Sequence, residues 1–392
     1  MQNFHYLIIG GGMTADAAVK GIRSVDDKNS IAIISREDYP PYSRPPLSKA
    51  LWKGDAEESI WKKTEEKNAT LLLSRSVTHI DPSERMVQDD RDEKYSYEKL
   101  LIATGGTVNL LPFDADGIIY YRTYNDFKIL RRKSEKAKHI VVIGGGFIGS
   151  EVAAALAMNN HKVTMIFPDA AIGARVYPKG LAEFLNSYFE EKGVTIMNND
   201  EVISISKIND AYTIKTKSGK NLEADVVVAG IGIKPDVSLT SKAGIAVSNG
   251  IDTDEFLRTS QPDIYAAGDV ANYYAPALGK RFRAEHEDNA LMMGAHAGKN
   301  MAGASEVFTH LPFFYSDLFD MGYEAVGELD SRHEIVEDWK VPFQEGVIYY
   351  LENSKVRGVL LWNTWNQVEN AREIIRQQGD INARTVKGLL PV

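Results

Sequence analysis

A short β-branched run that breaks into a glycine-rich turn and then an alanine-rich stretch occurs twice in this chain. The first copy reads Tyr6-Leu7-Ile8-Ile9-Gly10-Gly11-Gly12-Met13-Thr14-Ala15. The second reads His139-Ile140-Val141-Val142-Ile143-Gly144-Gly145-Gly146-Phe147-Ile148-Gly149. Each carries the spacing G-x-G-x-x-G/A. The pattern predicts helices over about 14–23 and 150–158, followed by second buried strands at 31–34 and 162–167. Strand, glycine turn, helix and strand in that order form the βαβ unit of a dinucleotide fold. The spacing has a physical reason. The first glycine turns the chain off its strand, and the second removes a Cβ where a pyrophosphate approaches. The third position must be small so that helix and strand can pack. The helix N-terminus then offers free N–H groups and a partial positive charge to phosphates. Gly10, Gly12, Met13, Thr14 and Ala15, and Gly144, Gly146, Phe147, Ile148 and Gly149, are therefore candidate binding residues.

Two further apolar runs end on small-residue turns: Leu100-Leu101-Ile102-Ala103-Thr104-Gly105-Gly106 and Ile264-Tyr265-Ala266-Ala267-Gly268-Asp269. Taken singly, each is a strand end with a tight turn.

Length and composition set the limits on what such a chain does. A chain of 392 residues fits two or three domains. Its 44% apolar and 25% charged content is that of a globular protein. No window approaches the roughly 18 consecutive apolar residues of a membrane span. Met1-Gln2-Asn3 lacks the basic region of a signal peptide, so a cytoplasmic location is expected. The net charge of −9 is spread along the chain and argues against a nucleic-acid partner. There is no cysteine, which excludes disulfides, thiolate-held clusters, cysteine nucleophiles and a redox-active dithiol. Electrons must then be carried by a bound organic cofactor or a non-thiol metal. The neighbours Glu285-His286-Glu287-Asp288 cannot all face one ion, so no metal site is expected. Trp362 and Trp365 read as core or interface residues.

The four segments together resemble the FAD- and NAD-binding family of glutathione reductase-like enzymes. That resemblance covers nearly the whole chain and implies an α/β fold. It has two Rossmann-type domains, for FAD and NAD, plus a C-terminal α+β interface domain. The implied boundaries are 1–111 and 234–311 for FAD, 112–233 for NAD and 312–392 for the interface domain. Pro41-Tyr42-Ser43-Arg44-Pro45-Pro46-Leu47-Ser48-Lys49 stands where disulfide reductases carry their cysteine pair, and resembles the ferredoxin-reductase and apoptosis-inducing-factor branch. Glu285-His286-Glu287-Asp288, Ser316-Asp317-Leu318, Gly322-Tyr323-Glu324-Ala325 and Leu361-Trp362-Asn363 are similar to the apoptosis-inducing-factor family in particular. The family's long C-terminal insertion is reduced here to 330–344. The expectation is a compact bacterial or cytosolic relative without the family's mitochondrial targeting segment.

The resemblance implies roles. In the FAD site, Glu37 meets the ribose hydroxyls, with Arg36 along the adenine in place of the family's usual acid. Val77 lends its backbone to the adenine. Arg44 lines the pyrophosphate, Lys49 the flavin ring, and Arg122 reaches the flavin. Ala103, Thr104, Gly105, Gly268 and Asp269 lie along the cofactor, with His286 under the pyrimidine end. Tyr315 keeps an aromatic face where the family has a tryptophan. Lys49 and Glu151 are expected to pair beside flavin N5, the cation favouring the anionic reduced ring. In the NADH site, Phe147 stacks and Asp169 accepts the adenine-ribose hydroxyls. A carboxylate there repels a 2′-phosphate and favours NADH over NADPH. Arg175 contacts the pyrophosphate, Gly232 lets the nicotinamide approach, and Glu285 and Glu324 bind its carboxamide or ribose. Lys49, Glu151, Phe147 and His286 form the expected catalytic set.

The expected function is an FAD-dependent NADH oxidoreductase that passes electrons to an external acceptor, whether protein, quinone or small molecule. The acidic charge disfavours an acidic ferredoxin as that acceptor. The alternative is a redox-sensing interaction protein, in which an NADH-driven charge-transfer complex controls homodimerisation.

Overall fold

The structure is a computed structural model and describes residues 1–113, 116–377 and 381–391. The chain divides into two compact units: Met1–Ser43, Glu57–Thr107 and Lys234–Phe313; and Arg44–Ala56, Val108–Ile233 and Phe314–Val392.

The first unit is built on a sheet ordered Ala69–Leu72, Ile31–Ile34, Gln2–Ile9, Lys94–Ile102, Met86–Asp89, Val77–Asp81. The first four run parallel, and Ile264–Ala266 adds a further parallel partner to Lys94–Ile102. Leu7, Ile8, Ile33, Leu100 and Ile264 are fully buried, as continuous β-branched runs covered on both faces should be. Each such side chain contributes about 1.5–3 kcal/mol on burial. Register aligns Ile9 with Ile34 and Ile102, and Ile102 with Ala266. The Gly10 turn, the 35–37 loop, Ala103–Gly105 and Gly268–Asp269 therefore leave one common edge. The helices Met13–Arg23 and Glu287–Met301 touch backbone to backbone, since a Cβ at Gly298 would lie 2.2 Å from the Ala18 carbonyl.

The second unit repeats the plan. Its sheet runs Val194–Met197, Val163–Ile166, Ile140–Ile143, Val226–Ala229, Ile119–Tyr120, all parallel. Ile143 is level with Ile166 and with Ala229, and Ala229 with Tyr120. The turns at Gly144, 167–169, 230–232 and 121–122 again share an edge. A second sheet of five strands, ordered Phe313–Leu318, Met321–Gly327, Lys355–Trp362, Glu345–Glu352, Glu334–Val341, carries the C-terminal region. The helix Val368–Arg376 packs on it, which makes this part α+β. The fold is thus the α/β architecture expected, with two Rossmann-type parallel sheets and a C-terminal α+β sheet region. No described helix is long and apolar enough to cross a membrane.

The first glycine-turn helix begins at Met13 and the second at Phe147, three residues before the expected start at 150. Gly146 is the N-cap, so the aromatic and Ile148 lie inside the first turn rather than ahead of it. The segment Arg44–Ala56 packs with the second unit. Trp52 secures it: its indole N–H donates to Leu47 O at 2.9 Å, its ring meets Phe127 edge-on at 5.7 Å, and Arg131 lies 5.0 Å over its face.

Candidate active site

The two glycine turns have nearly the same backbone. Gly10 has φ +112° and Gly144 φ +116°. A Cβ at these positions would stand 2.2 Å from the Ala103 carbonyl oxygen and 2.4 Å from that of Gly230. Gly12 and Gly146 are the N-caps, at φ −90°, ψ −169° and φ −85°, ψ −170°. At both, a Cβ would meet no protein atom within 4 Å, and neither helix has a side-chain cap. Helix ends without a side-chain cap therefore begin at glycines that face open space, a cradle suited to a pyrophosphate. The third position differs. Ala15 is fully buried in the first turn, whereas a Cβ at Gly149 would lie 2.1 Å from the Gly144 carbonyl.

In the first unit the remaining candidates gather along the same sheet edge. Ala103 N–H donates to Ile9 O at 2.8 Å, and Gly105 has φ +67°. Thr104 Oγ1 donates to Asp236 O at 3.1 Å. Glu37 leaves the next strand, its carboxylate accepting from Tyr42 OH at 2.6 Å. Arg36 is more than half exposed and lies 3.7 Å from Asp236. Arg75 N–H donates to Ser35 O at 2.9 Å, which brings Val77 to within two residues of that edge. Gly268 packs on Thr14, where a Cβ would stand 2.3 Å from Oγ1, and Asp269 follows it in a short 3₁₀ turn. His286 is the N-cap of Glu287–Met301. Burial pushes its pKa down to about 4, against the upward pull of Asp269 and Asp288, so the ring is neutral at pH 7. Glu285 is engaged by Arg283 at 2.5 Å, a partner sequence reasoning missed.

In the second unit, Lys49 and Glu151 come together. Lys49 Nζ is 2.7 Å from Glu151 Oε2, with side chains 10% and 5% exposed. The ammonium also lies 5.4 Å from the centroid of the Tyr315 ring. Glu151 accepts two further hydrogen bonds, from Ser48 and Ser316, that the sequence did not point to. Arg44 donates to Arg122 O at 2.9 Å. Phe147 packs edge-on against Phe314 at 5.3 Å, and Ile148 is exposed. Asp169 and Arg175 leave the sheet edge as an exposed pair, 3.1 Å apart. Gly232 has φ +88° and its carbonyl accepts from Asn109 N–H at 3.0 Å. Glu324 stands in Met321–Gly327, and its Oε2 is buried without a hydrogen-bond partner. Burial raises its pKa above the ordinary glutamate value, opposed by the Asn366 N–H. An orphaned buried carboxylate oxygen is what an amide or hydroxyl donor of a ligand would complete. The expected tryptophans part company: Trp362 is fully buried, stacked on Tyr323 at 5.6 Å, whereas Trp365 is about half exposed.

Known proteins are similar to this chain over most of its length. Residues 4–294 match the family profile "Pyridine nucleotide-disulphide oxidoreductase". Residues 297–342 and 335–377 match "Apoptosis-inducing factor, mitochondrion-associated, C-term". Apoptosis-inducing factor 1, mitochondrial, of Dictyostelium discoideum is 31% identical, over 99% of this chain and 80% of its own length. Monodehydroascorbate reductase 3 of Arabidopsis thaliana is 33% identical, over 92% of this chain and 89% of its own. A putidaredoxin reductase, solved in covalent complex with putidaredoxin, superposes with a TM-score of 0.90 at 28% identity, covering 98% of this chain and 95% of that one. The chain belongs to the pyridine nucleotide-disulphide oxidoreductase family and is an FAD-dependent NAD(P)H oxidoreductase with no cysteine of its own.

Proposed function

We propose that the chain takes a hydride from NADH onto FAD and delivers the electrons to an external acceptor. The Gly10–Ala15 turn, in the ranges 1–111 and 234–311, holds FAD. The Gly144–Gly149 turn, in 112–233, holds NADH. When bound, FAD supplies a ring that accepts a hydride and gives up its electrons singly or in pairs.

The observation that carries this reading is the buried ion pair of Lys49 and Glu151. Burying such a pair gives little net stability, so its presence calls for chemistry. Lys49 offers a fixed ammonium to developing negative charge, and Glu151 holds that ammonium in place. His286, kept neutral, adds no second cation. Asp169 accepts the adenine-ribose hydroxyls and disfavours a 2′-phosphate, while Glu324 accepts from the carboxamide. Phe147 and Tyr315 keep water from the stacked rings.

Without a dithiol, electrons leave the protein directly. The relatives reduce acceptors of unlike kinds by their names, monodehydroascorbate and putidaredoxin, which supports an external acceptor without choosing one. Steady-state NADH oxidation against quinones, ferricyanide, oxygen and iron–sulfur proteins tests the reading. Turnover with at least one acceptor beyond the oxygen rate is expected, and none beyond it would contradict it.

A second reading draws on the C-terminal match to apoptosis-inducing factor. NADH would form a long-lived charge-transfer complex that changes association. A long-wavelength band persisting in air, together with an earlier-eluting species in size-exclusion chromatography, would favour that sensor. A band that vanishes within seconds with unchanged elution favours the reductase.

A further inference from the structure

Glu151 is 4% exposed yet has donors on both oxygens. Oε2 accepts from Lys49 Nζ at 2.7 Å and from Ser48 Oγ at 2.6 Å, and Oε1 accepts from Ser316 Oγ at 2.6 Å. The serines are themselves buried, 6% and 2% exposed. They come from distant parts of the chain. Ser48 closes the 3₁₀ turn Pro45–Ser48, and Ser316 lies in the strand Phe313–Leu318. One adjoins the residue that carries the cation and the other a residue that faces it. Ser48 precedes Lys49, and Ser316 follows Tyr315, whose ring faces Lys49 Nζ at 5.4 Å. Strand alternation explains the second pair, with Tyr315 outward and Ser316 inward. Ser316 is braced in turn by the buried phenol of Tyr323, to which Tyr177 OH donates at 2.9 Å.

A carboxylate held by one lysine can turn about its terminal bond. Hydroxyl donors on both oxygens stop that rotation and offset part of its charge. We propose that Ser316 and Ser48 are positioning residues. They hold the Glu151 carboxylate in one orientation, so that the Lys49 ammonium is presented in one place and the field at the bound flavin is set. The inference rests on Lys49 being the flavin-facing cation of the proposed function. Removing a hydroxyl leaves more uncompensated negative charge beside the ammonium. The flavin potential then falls, and reduction by NADH slows.

The test uses the FAD-loaded protein. Midpoint potentials are measured by dye-referenced spectroelectrochemistry, and flavin reduction by anaerobic stopped flow with NADH. The variants are Ser316→Ala, Ser48→Ala, Ser316→Thr and Lys49→Ala. Ser316→Ala is expected to give a more negative potential and reduction about five- to tenfold slower at unchanged FAD content. Ser316→Thr, which keeps the hydroxyl, should recover both. Unchanged potential and rate in both alanine variants, while Lys49→Ala alters them, would overturn the serines' role alone. No effect of Lys49→Ala would overturn the reading of Lys49 and this inference with it. Should Ser316→Ala fail to fold, Ser48→Ala, which lies outside the strand, decides the matter by the same readouts.

Discussion

The turn at Gly10 and the turn at Gly144 agree in backbone to within a few degrees, yet their helices carry different polar cargo. In the first, Asp16 is fully buried and is held by Lys20 at 2.6 Å and Thr64 at 2.7 Å. The Lys20 side chain is 47% exposed, so that pair is open to water at its cationic end. In the second, one helical position further on, Glu151 and Lys49 are both withdrawn from water. The same phosphate cradle thus serves a structural acid in one unit and an acid tied to a buried cation in the other. Backbone geometry matches the task we propose for both turns, binding a dinucleotide. The side chains that follow belong to the task they do not share.

The comparison is most sharply tested at the glycines. Gly10→Ala and Gly144→Ala force a side chain into a conformation L-residues avoid and onto a backbone carbonyl. Each should cost about 4 kcal/mol or more in denaturant unfolding. Gly12→Ala and Gly146→Ala meet open space, so the flavin-free protein should lose no more than about 1 kcal/mol. Equal losses at all four positions would mean that the second glycines serve packing rather than a ligand.

The two ion pairs come next. Lys49→Ala strands a buried carboxylate and should cost about 3 kcal/mol in unfolding while slowing flavin reduction. Lys20→Ala also leaves a buried carboxylate, Asp16, with one donor fewer, so it should cost about 1–3 kcal/mol in unfolding, but it should leave reduction unchanged. Similar slowing of flavin reduction by both would erase the distinction between the units.

His286 gives the first unit a pH dependence. Its folded pKa of about 4 lies below the ordinary 6.5, so the unfolded chain binds the proton first. The contribution is complete above pH 6.5 and is lost as pH falls toward 4, at most about 3 kcal/mol. Urea unfolding of the flavin-free protein at pH 7 and pH 4, with His286→Gln as the variant that flattens the difference, measures it. An unchanged slope in His286→Gln would assign the pH dependence elsewhere.

The smallest effect belongs to the second unit's exposed pair. Asp169→Ala removes a carboxylate and releases Arg175, so the NADH-over-NADPH ratio of flavin-reduction rates should fall about tenfold or less. A wild-type preference for NADPH would refute the assignment of Asp169.

The parts of this molecule legible in the sequence are those encoded locally. Glycine spacing and β-branched runs announce both Rossmann units because turn, helix and strand follow one another in the chain. The Lys49–Glu151 pair was legible only through family resemblance, since nothing in the spacing of residues 49 and 151 brings them to 2.7 Å. Ser48 and Ser316 stand in two of the segments that carry the resemblance, but nothing in those segments points to Glu151. A serine has no periodicity to betray it, and its bond to Glu151 spans 103 residues in one case and 165 in the other. The packing of Arg44–Ala56 with the second unit was equally hidden, because it depends on Trp52 finding Phe127 and Arg131 far along the chain. The early start of the second helix was a matter of capping: a bare glycine at 146 begins the helix where a side-chain cap would have been sought.

The division of labour between the two turns is tested most directly by equilibrium binding to the Gly12→Ala and Gly146→Ala proteins. FAD affinity is measured by fluorescence quenching on the flavin-free proteins, and NADH affinity on the flavin-loaded ones. Gly12→Ala should weaken FAD by about tenfold or more, and Gly146→Ala should weaken NADH by a similar factor while leaving FAD affinity unchanged. FAD affinity lost in Gly146→Ala and retained in Gly12→Ala would contradict the assignment of the two turns.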